Sequence, residues 1–445
     1  VKALVYGLGR SGTAVARLLI KQGHTVVTFD QQPRESERVE LATLGCRATS
    51  APAQEGVELC IAAPGVPFDH PDLVALRARG IETIGEVEWV YRSVKADIVG
   101  VTGTAGKTTV TRWISDTLSN AGWRAPAGGN ISPALAAVAE EGVLLVAELS
   151  SFQLERSPTL KPKVAVMLNV GSDHLDRHGS LEAYHAAKRQ LLKNLSAQEA
   201  LVYNVDDPLV RAWAEASPAR RLGFSLEQAA DAHLAGEGLW LHGSPLVDAA
   251  ELQLTGRHHL ANALAVALCC DALGLEMDAI RDGLKRFRGV PGRYGTAGSV
   301  GNVHFVEDSI ATRTLAVKAA LEATPRPIVW IGGGVDKGAE FEALERLVKA
   351  KVVLFIGVGR SGPDYAARLK HLTATLVCDD ADGEAALHCA CRLGYERLRD
   401  EGGTVLLAPL AASFDQFTDY QQRAAAFRRA VAALQTKEGA VWTRS

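Results

Sequence analysis

Short runs of aliphatic and β-branched residues recur along the chain, separated by stretches of about ten to eighteen residues with helical apolar spacing. Runs at 3–6, 25–29, 59–62, 98–101, 144–147, 164–168 and 200–203 predict strands, and so do runs at 304–306, 327–331, 352–356, 375–377 and 404–407. Helices are predicted between them, for example over 181–195 and 260–273. This is the rhythm of βαβ units, whose parallel strands are covered on both faces and so read as unbroken apolar runs. The predicted class is α/β with mostly parallel sheets. Most runs end in Gly, Ser, Thr, Asn or Asp, the position where open α/β sheets hold ligands. Residues 221–256 lose the rhythm and predict short irregular strands at the edge of the middle domain.

At 445 residues the chain has room for roughly three domains of about 150 residues. Predicted boundaries lie near residue 90 and at the Gly/Pro punctuation Gly289-Val-Pro-Gly-Arg293. They divide it into a Rossmann-like domain at 1–90, a central P-loop ATPase-like domain at 91–289, and a second Rossmann-like domain at 290–445. A formal net charge of −3 without a basic block argues against a nucleic-acid partner. The longest apolar run, Ala263 to Cys270, is far too short to span a membrane. Nothing at the start has the pattern of an export signal. Seven scattered cysteines without a CxxC pair are expected to be reduced, which predicts a cytoplasmic protein, and a monomer is expected. Glycine alone stands out, at 42 residues, many of them clustered.

The strongest cluster is Ile98-Val-Gly-Val-Thr-Gly-Thr-Ala-Gly-Lys-Thr-Thr109. A strand leads into a glycine turn and a helix start, where backbone N–H groups and the helix dipole favour phosphate. Gly103, Thr104, Ala105, Gly106, Lys107, Thr108 and Thr109 would form the ATP loop, with Lys107 on the terminal phosphates and Thr108 on Mg²⁺. The strict pattern fails at one position, where Val101 replaces the first glycine. A second cluster, Gly7-Leu-Gly-Arg-Ser-Gly12 with Asp30 beyond the next strand, formally fits a dinucleotide fingerprint. No hydride-transfer constellation accompanies it. Its echo at Gly357-Val-Gly-Arg-Ser-Gly362 is expected to be a structural turn.

Three further stretches extend the pattern: Glu148-Leu-Ser-Ser-Phe-Gln-Leu-Glu155, Leu168-Asn-Val-Gly-Ser-Asp-His-Leu-Asp176 and Tyr184-His-Ala-Ala-Lys188. With the lysine loop, Gly128-Gly-Asn-Ile131 and Pro409-Leu-Ala-Ala-Ser-Phe-Asp-Gln-Phe-Thr-Asp-Tyr420, they resemble the Mur ligase family over essentially the whole chain. The 148–155 stretch is most similar to the branch that joins D-glutamate to UDP-N-acetylmuramoyl-L-alanine in peptidoglycan precursor synthesis. Sister Mur ligases and folylpolyglutamate synthases share the loop and general order but differ there.

The resemblance implies an ATP-dependent amide ligase that works through an acyl phosphate. It implies two Mg²⁺ ions, one on Thr108 and Glu148, the other served by His174 and by Lys188 carrying a CO₂-derived carbamate. Read alone, Lys188 is a solvent-facing lysine on an amphipathic helix and His174 a turn residue. Glu148, directly after an apolar strand, is harder to explain structurally. Asn262, Arg293 and Asp308 are implied as further ATP contacts. Arg10, Ser11, Asp30, Gly65 and Asn130 are implied for the uridine nucleotide, and Thr312, Lys337, Ser413 and Tyr420 for D-glutamate.

The chain departs from the family pattern at Ala105, usually Asn, and at Ile310, usually Lys. Gly292 precedes Arg293 where His is usual, and Tyr420 stands where Phe is common. Arg313, one turn beyond Ile310, is a candidate replacement for the missing charge. A sister Mur ligase or folylpolyglutamate synthase-like amide ligase, a non-catalytic nucleotide-binding relative and an NAD-dependent dehydrogenase remain alternatives. The retention of Lys107, Thr108, Glu148, His174 and Lys188 together argues against the non-catalytic relative.

Overall fold

The computed structural model describes residues 1–171, 175–254, 256–290 and 292–442. The chain forms two compact units, Val1–Phe287 and Arg288–Ser445.

The first unit contains two sheets. One is wholly parallel, in the order Arg47–Ala48, Thr25–Phe29, Lys2–Tyr6, Leu59–Ala62, Glu82–Ile84. The other has nine strands, with Asp97–Thr102 between Val164–Met167 and Leu144–Glu148. Its far edge is the region without rhythm: Ala232–Ala235, Gly238–Leu241 and Ser244–Asp248 form an antiparallel meander beside the regular parallel strand Arg220–Ser225. The expected boundary at residue 90 falls inside helix Glu86–Ser93, whose Val87 and Val90 join one apolar core with residues of both sheets. The eight-residue apolar run lies in helix Arg257–Ala272, and every residue from Ala263 to Cys270 is fully buried. A helix apolar all round is a core helix, and among the described residues no helix is long and apolar enough to cross a membrane.

The second unit carries a six-stranded sheet, parallel except for its first strand, in the order Gly295–Val300, Val303–Glu307, Gly403–Leu407, Ile328–Gly332, Val352–Val358, Ala374–Cys378. The echo between the two glycine turns has a packing cause. A Cβ on Gly12 would sit 1.8 Å from the Gly7 carbonyl oxygen, and one on Gly357 would sit 2.4 Å from that of Gly362. In each turn the first and third glycines press together so that a helix can start against its strand.

Candidate functional site

Strand Asp97–Thr102 is flanked on both sides by parallel strands, and this decides where the phosphate loop begins. Val101 is fully buried and paired in register with Glu148 and Val166, so it belongs to the sheet, and the loop opens only at Gly103. Gly106 precedes helix Lys107–Asn120 with φ +84°, and a Cβ there would meet the Asn262 side-chain oxygen at 2.7 Å. Both constraints call for glycine, and the close approach puts Asn262 against the loop. Lys107 Nζ donates to the carbonyls of Gly103 (2.9 Å) and Thr104 (3.2 Å), folding over the loop it is expected to serve.

The register Val101↔Glu148 also places a carboxylate at the end of the neighbouring strand. Glu148 is 1% exposed; it accepts from the Thr108 hydroxyl at 2.6 Å and from the Asn130 amide at 2.7 Å. A buried carboxylate and a hydroxyl beside a phosphate loop are the hard oxygen donors that suit Mg²⁺ when substrate phosphates complete the shell. Among the described residues no three His, Cys, Asp or Glu side chains cluster as a self-sufficient metal site. His174 lies outside the described residues.

Lys188 corrects the reading made from its helix alone. It is 1% exposed, its Nζ donates to the Gly103 carbonyl at 2.8 Å, and it lies 4.7 Å from the centre of the Tyr184 ring. Helix Leu181–Arg189 turns this face toward the loop, so the lysine sits at the phosphate site and away from solvent. Thr109 is buried in the first turn of the loop helix. Two residues given no role from sequence complete the loop's frame. Asn169 accepts from the Ala105 N–H at 2.8 Å and donates to its carbonyl at 3.1 Å, and Thr104 shares a 3.1 Å hydrogen bond with Tyr184. Asn169 lies just past strand Val164–Met167, on the other side of the loop strand, and that placement is the only signal the sequence offered.

All five residues assigned to the uridine nucleotide line a single cavity of about 410 Å³ that also includes Ala63, Pro64, Gly129 and Gln153. Arg10 reaches from the first glycine turn to the Asn130 carbonyl at 2.8 Å. Asn130 thus touches both this cavity and Glu148. Ser11 donates to Glu86, a buried carboxyl whose pKa is raised by its burial and which also accepts from the Ala136 N–H at 2.7 Å. Both Asp30 oxygens are taken by backbone, accepting from Leu8 N–H (2.5 Å) and Gln32 N–H (2.8 Å). Asp30 therefore braces the turn while also lining the cavity.

In the second unit, one buried arginine gathers most of the positions assigned to the amino acid. Arg423, 2% exposed, donates to the Ser309 hydroxyl (2.9 Å), the Ser309 carbonyl (2.8 Å) and the Ala411 carbonyl (3.1 Å). It also reaches the Gly333 carbonyl at 3.5 Å. Burial lowers its pKa to about 10. It ties the loop of Asp308 and Thr312, the glycine turn before Lys337, and the segment before Ser413. The pairing Val335↔Ala412 brings the last two side by side. Lys337 is exposed and Ser413 buried. Asp308 is half-buried, and burial together with the neighbouring Glu307 raises its pKa to about 7. Tyr420 packs against Gly292, beside Arg293, at the start of this unit. Ile310 donates its N–H to the Gly292 carbonyl at 3.0 Å, and Arg313 is exposed just before helix Thr314–Ala323. At the second glycine turn, Asp415 accepts from the Arg360 N–H at 2.8 Å and lies within 2.6 Å of a Cβ placed on Gly359. An acid already fills the place a phosphate would take, in keeping with a structural turn.

Comparison with known proteins matches residues 1–85 to the "Mur ligase MurD-like, N-terminal domain" and residues 101–270 to the "Mur ligase middle domain". The UDP-N-acetylmuramoylalanine–D-glutamate ligase of Thermus thermophilus is 46% identical over 99% of both chains. The ligase of the same name from Deinococcus radiodurans is 42% identical over 97% of this chain and 92% of its own. Among solved structures, the UDP-N-acetylmuramate-alanine ligase of Thermotoga maritima has the same fold, with a TM-score of 0.59 at 20% identity over 98% of this chain and 99% of its own.

Proposed function

The chain belongs to the Mur ligase family, and from that premise we propose that it is the ATP-dependent ligase that joins D-glutamate to UDP-N-acetylmuramoyl-L-alanine. The observation that carries the specificity is the 46% identity over 99% of both chains to a ligase of that name. The geometry around Glu148 supports the chemistry. The substrate's terminal carboxylate takes the γ-phosphoryl group of ATP, giving an acyl phosphate and ADP. The D-glutamate amine attacks the acyl carbon, the tetrahedral intermediate collapses, and phosphate leaves.

Phosphoryl transfer of this kind depends on positioning and charge neutralisation. In this reading the 103–106 turn and Lys107 hold the β- and γ-phosphates, and Asn262 buttresses the turn. Thr108 and Glu148 would hold one magnesium ion; His174 and a carbamate on Lys188 would serve a second. Bound magnesium supplies the positive charge that lets a carboxylate approach a phosphate. Asn130 bridges the nucleotide cavity and Glu148 and would orient the acyl end of the substrate between them. Asp308 and Arg293 are assigned to ATP, and Thr312, Lys337, Ser413 and Tyr420 to D-glutamate. The enzyme is placed in the cytoplasm and acts as a monomer on these small molecules.

The test is phosphate release with ATP, Mg²⁺ and UDP-N-acetylmuramoyl-L-alanine against a panel of amino acids. Turnover with D-glutamate alone is expected; equal turnover with L-glutamate or diaminopimelate would overturn the specificity.

A further inference from the structure

The Ala63–Val66 loop forms one wall of the nucleotide cavity, contributing Ala63, Pro64, Gly65 and Val66. Its carbonyls are gripped by two arginines that have no role in the assignments above. Arg156 donates to the Ala63 carbonyl at 3.2 Å and the Val66 carbonyl at 2.7 Å. Arg177 donates to the Pro64 carbonyl at 2.6 Å and to the same Val66 carbonyl at 2.8 Å. Neither arginine is among the described residues that line the cavity. The Ala63, Pro64 and Val66 carbonyls are thus engaged by cations that stand outside the cavity lining.

Arg156 is held there at a cost. It is 2% exposed, its terminal nitrogens meet neutral carbonyls, and its Nε has no hydrogen-bond partner among the described residues. A buried cation so partnered is expensive, and an unsatisfied buried donor calls for a reason. Anchorage on both sides is firm. The Arg156 carbonyl accepts from the Gly85 N–H at 2.9 Å, and Arg177 stacks 4.2 Å over the Phe152 ring. In sequence, Arg156 follows Glu148 by eight positions and Arg177 follows His174 by three.

We propose that Arg156 and Arg177 are positioning residues that hold the Ala63–Val66 loop with its carbonyl oxygens turned out of the cavity, so that its wall accepts an anionic nucleoside diphosphate. Carbonyl oxygens facing a diphosphate would repel it; the clamp draws those dipoles toward two cations outside the cavity. Because both arginines trail segments assigned to the metals, the clamp also sets the nucleotide wall in register with the reacting end of the substrate. This rests on the ligase reading for the identity of the ligand, but not for the existence of the clamp.

The experiment compares Arg156→Met, Arg156→Lys and Arg177→Met with the wild-type enzyme. It measures KM for each of the three substrates, the melting temperature, and calorimetric binding of UDP alone. KM for the uridine substrate and the Kd for UDP should rise at least tenfold in both methionine variants. KM for ATP and D-glutamate should stay within twofold, and Arg156→Lys should recover part of the loss because lysine reaches only one carbonyl. A rise in all three KM values together, or a fall in melting temperature with unchanged UDP binding, would overturn the clamp. Should Arg156→Met fail to fold, Arg177→Met and Arg156→Lys carry the same comparison. Failure of the ligase reading would appear separately, as a wild-type protein that binds UDP but does not turn over.

Discussion

Replacing Gly129 by alanine strikes the candidate metal site without removing any side chain that would bind substrate. Gly129 has φ +109°, and a Cβ there would lie 2.4 Å from the Glu148 carbonyl oxygen. The backbone conformation alone costs an L-residue about 1–2 kcal/mol. The clash is with main chain that cannot rotate away, so restoring a 3.4 Å contact requires the strands Ala127–Gly129 and Leu144–Glu148 to part by about 1 Å, the scale of misplacement that reduces rate about 100-fold. That movement strains the 2.7 Å bond from Asn130 to Glu148 and the 2.6 Å bond from Thr108. We expect kcat to fall about 100-fold and the first transition on thermal melting to drop by several degrees, taking about 2 °C per kcal/mol. Gly122→Ala is the matched control. Its φ is +88°, but nothing lies within 4 Å of the added carbon, so it should lose stability and keep its rate. Phosphate release and calorimetry on both variants decide the matter. If Gly129→Ala keeps kcat within twofold while melting like Gly122→Ala, the reasoning about Glu148 placement is wrong.

Lys188→Ala should abolish turnover and regain part of it with added short carboxylates, which can enter the space left by the side chain; wild-type activity in the variant would remove the carbamate from the mechanism. Asp308 gives a pH signature. Its pKa is raised from 3.8 to about 7, so between those values the folded state keeps a proton that the unfolded state has released. Its contribution to stability therefore falls as pH rises from about 4 to about 7. The stability of Asp308→Asn relative to wild type should climb across that window, and a flat difference in calorimetry would refute the shift. Arg313→Ala should raise KM for D-glutamate several-fold if this arginine supplies the charge missing at Ile310; an unchanged KM would dismiss it.

The strand pattern was legible because parallel strands buried on both faces leave continuous apolar runs, and the phosphate loop because its chemistry is local. What the sequence could not supply was register. Glu148 becomes the partner of Thr108 only because Val101 pairs with it across two strands. The same pairing explains why Val101 can replace a glycine. Lys188 was misread on its own because helical periodicity distinguishes a buried face from an exposed one but does not say what covers it. Asp30 lines the nucleotide cavity, yet both its oxygens also accept from backbone N–H groups, a bracing role that no local sequence pattern announces. Arg156 was invisible for a different reason: it acts on carbonyls far away in the chain, and a carbonyl acceptor leaves no side-chain signature to pair with the arginine.

The path of the substrate's carboxylate oxygen tests the central claim most directly. With UDP-N-acetylmuramoyl-L-alanine labelled with ¹⁸O in its carboxylate, ATP and D-glutamate, mass spectrometry of the released phosphate should find one labelled oxygen per turnover, carried over through the acyl phosphate. Unlabelled phosphate accompanying amide formation would contradict carboxylate activation, and with it the role assigned to the Lys107, Thr108 and Glu148 site.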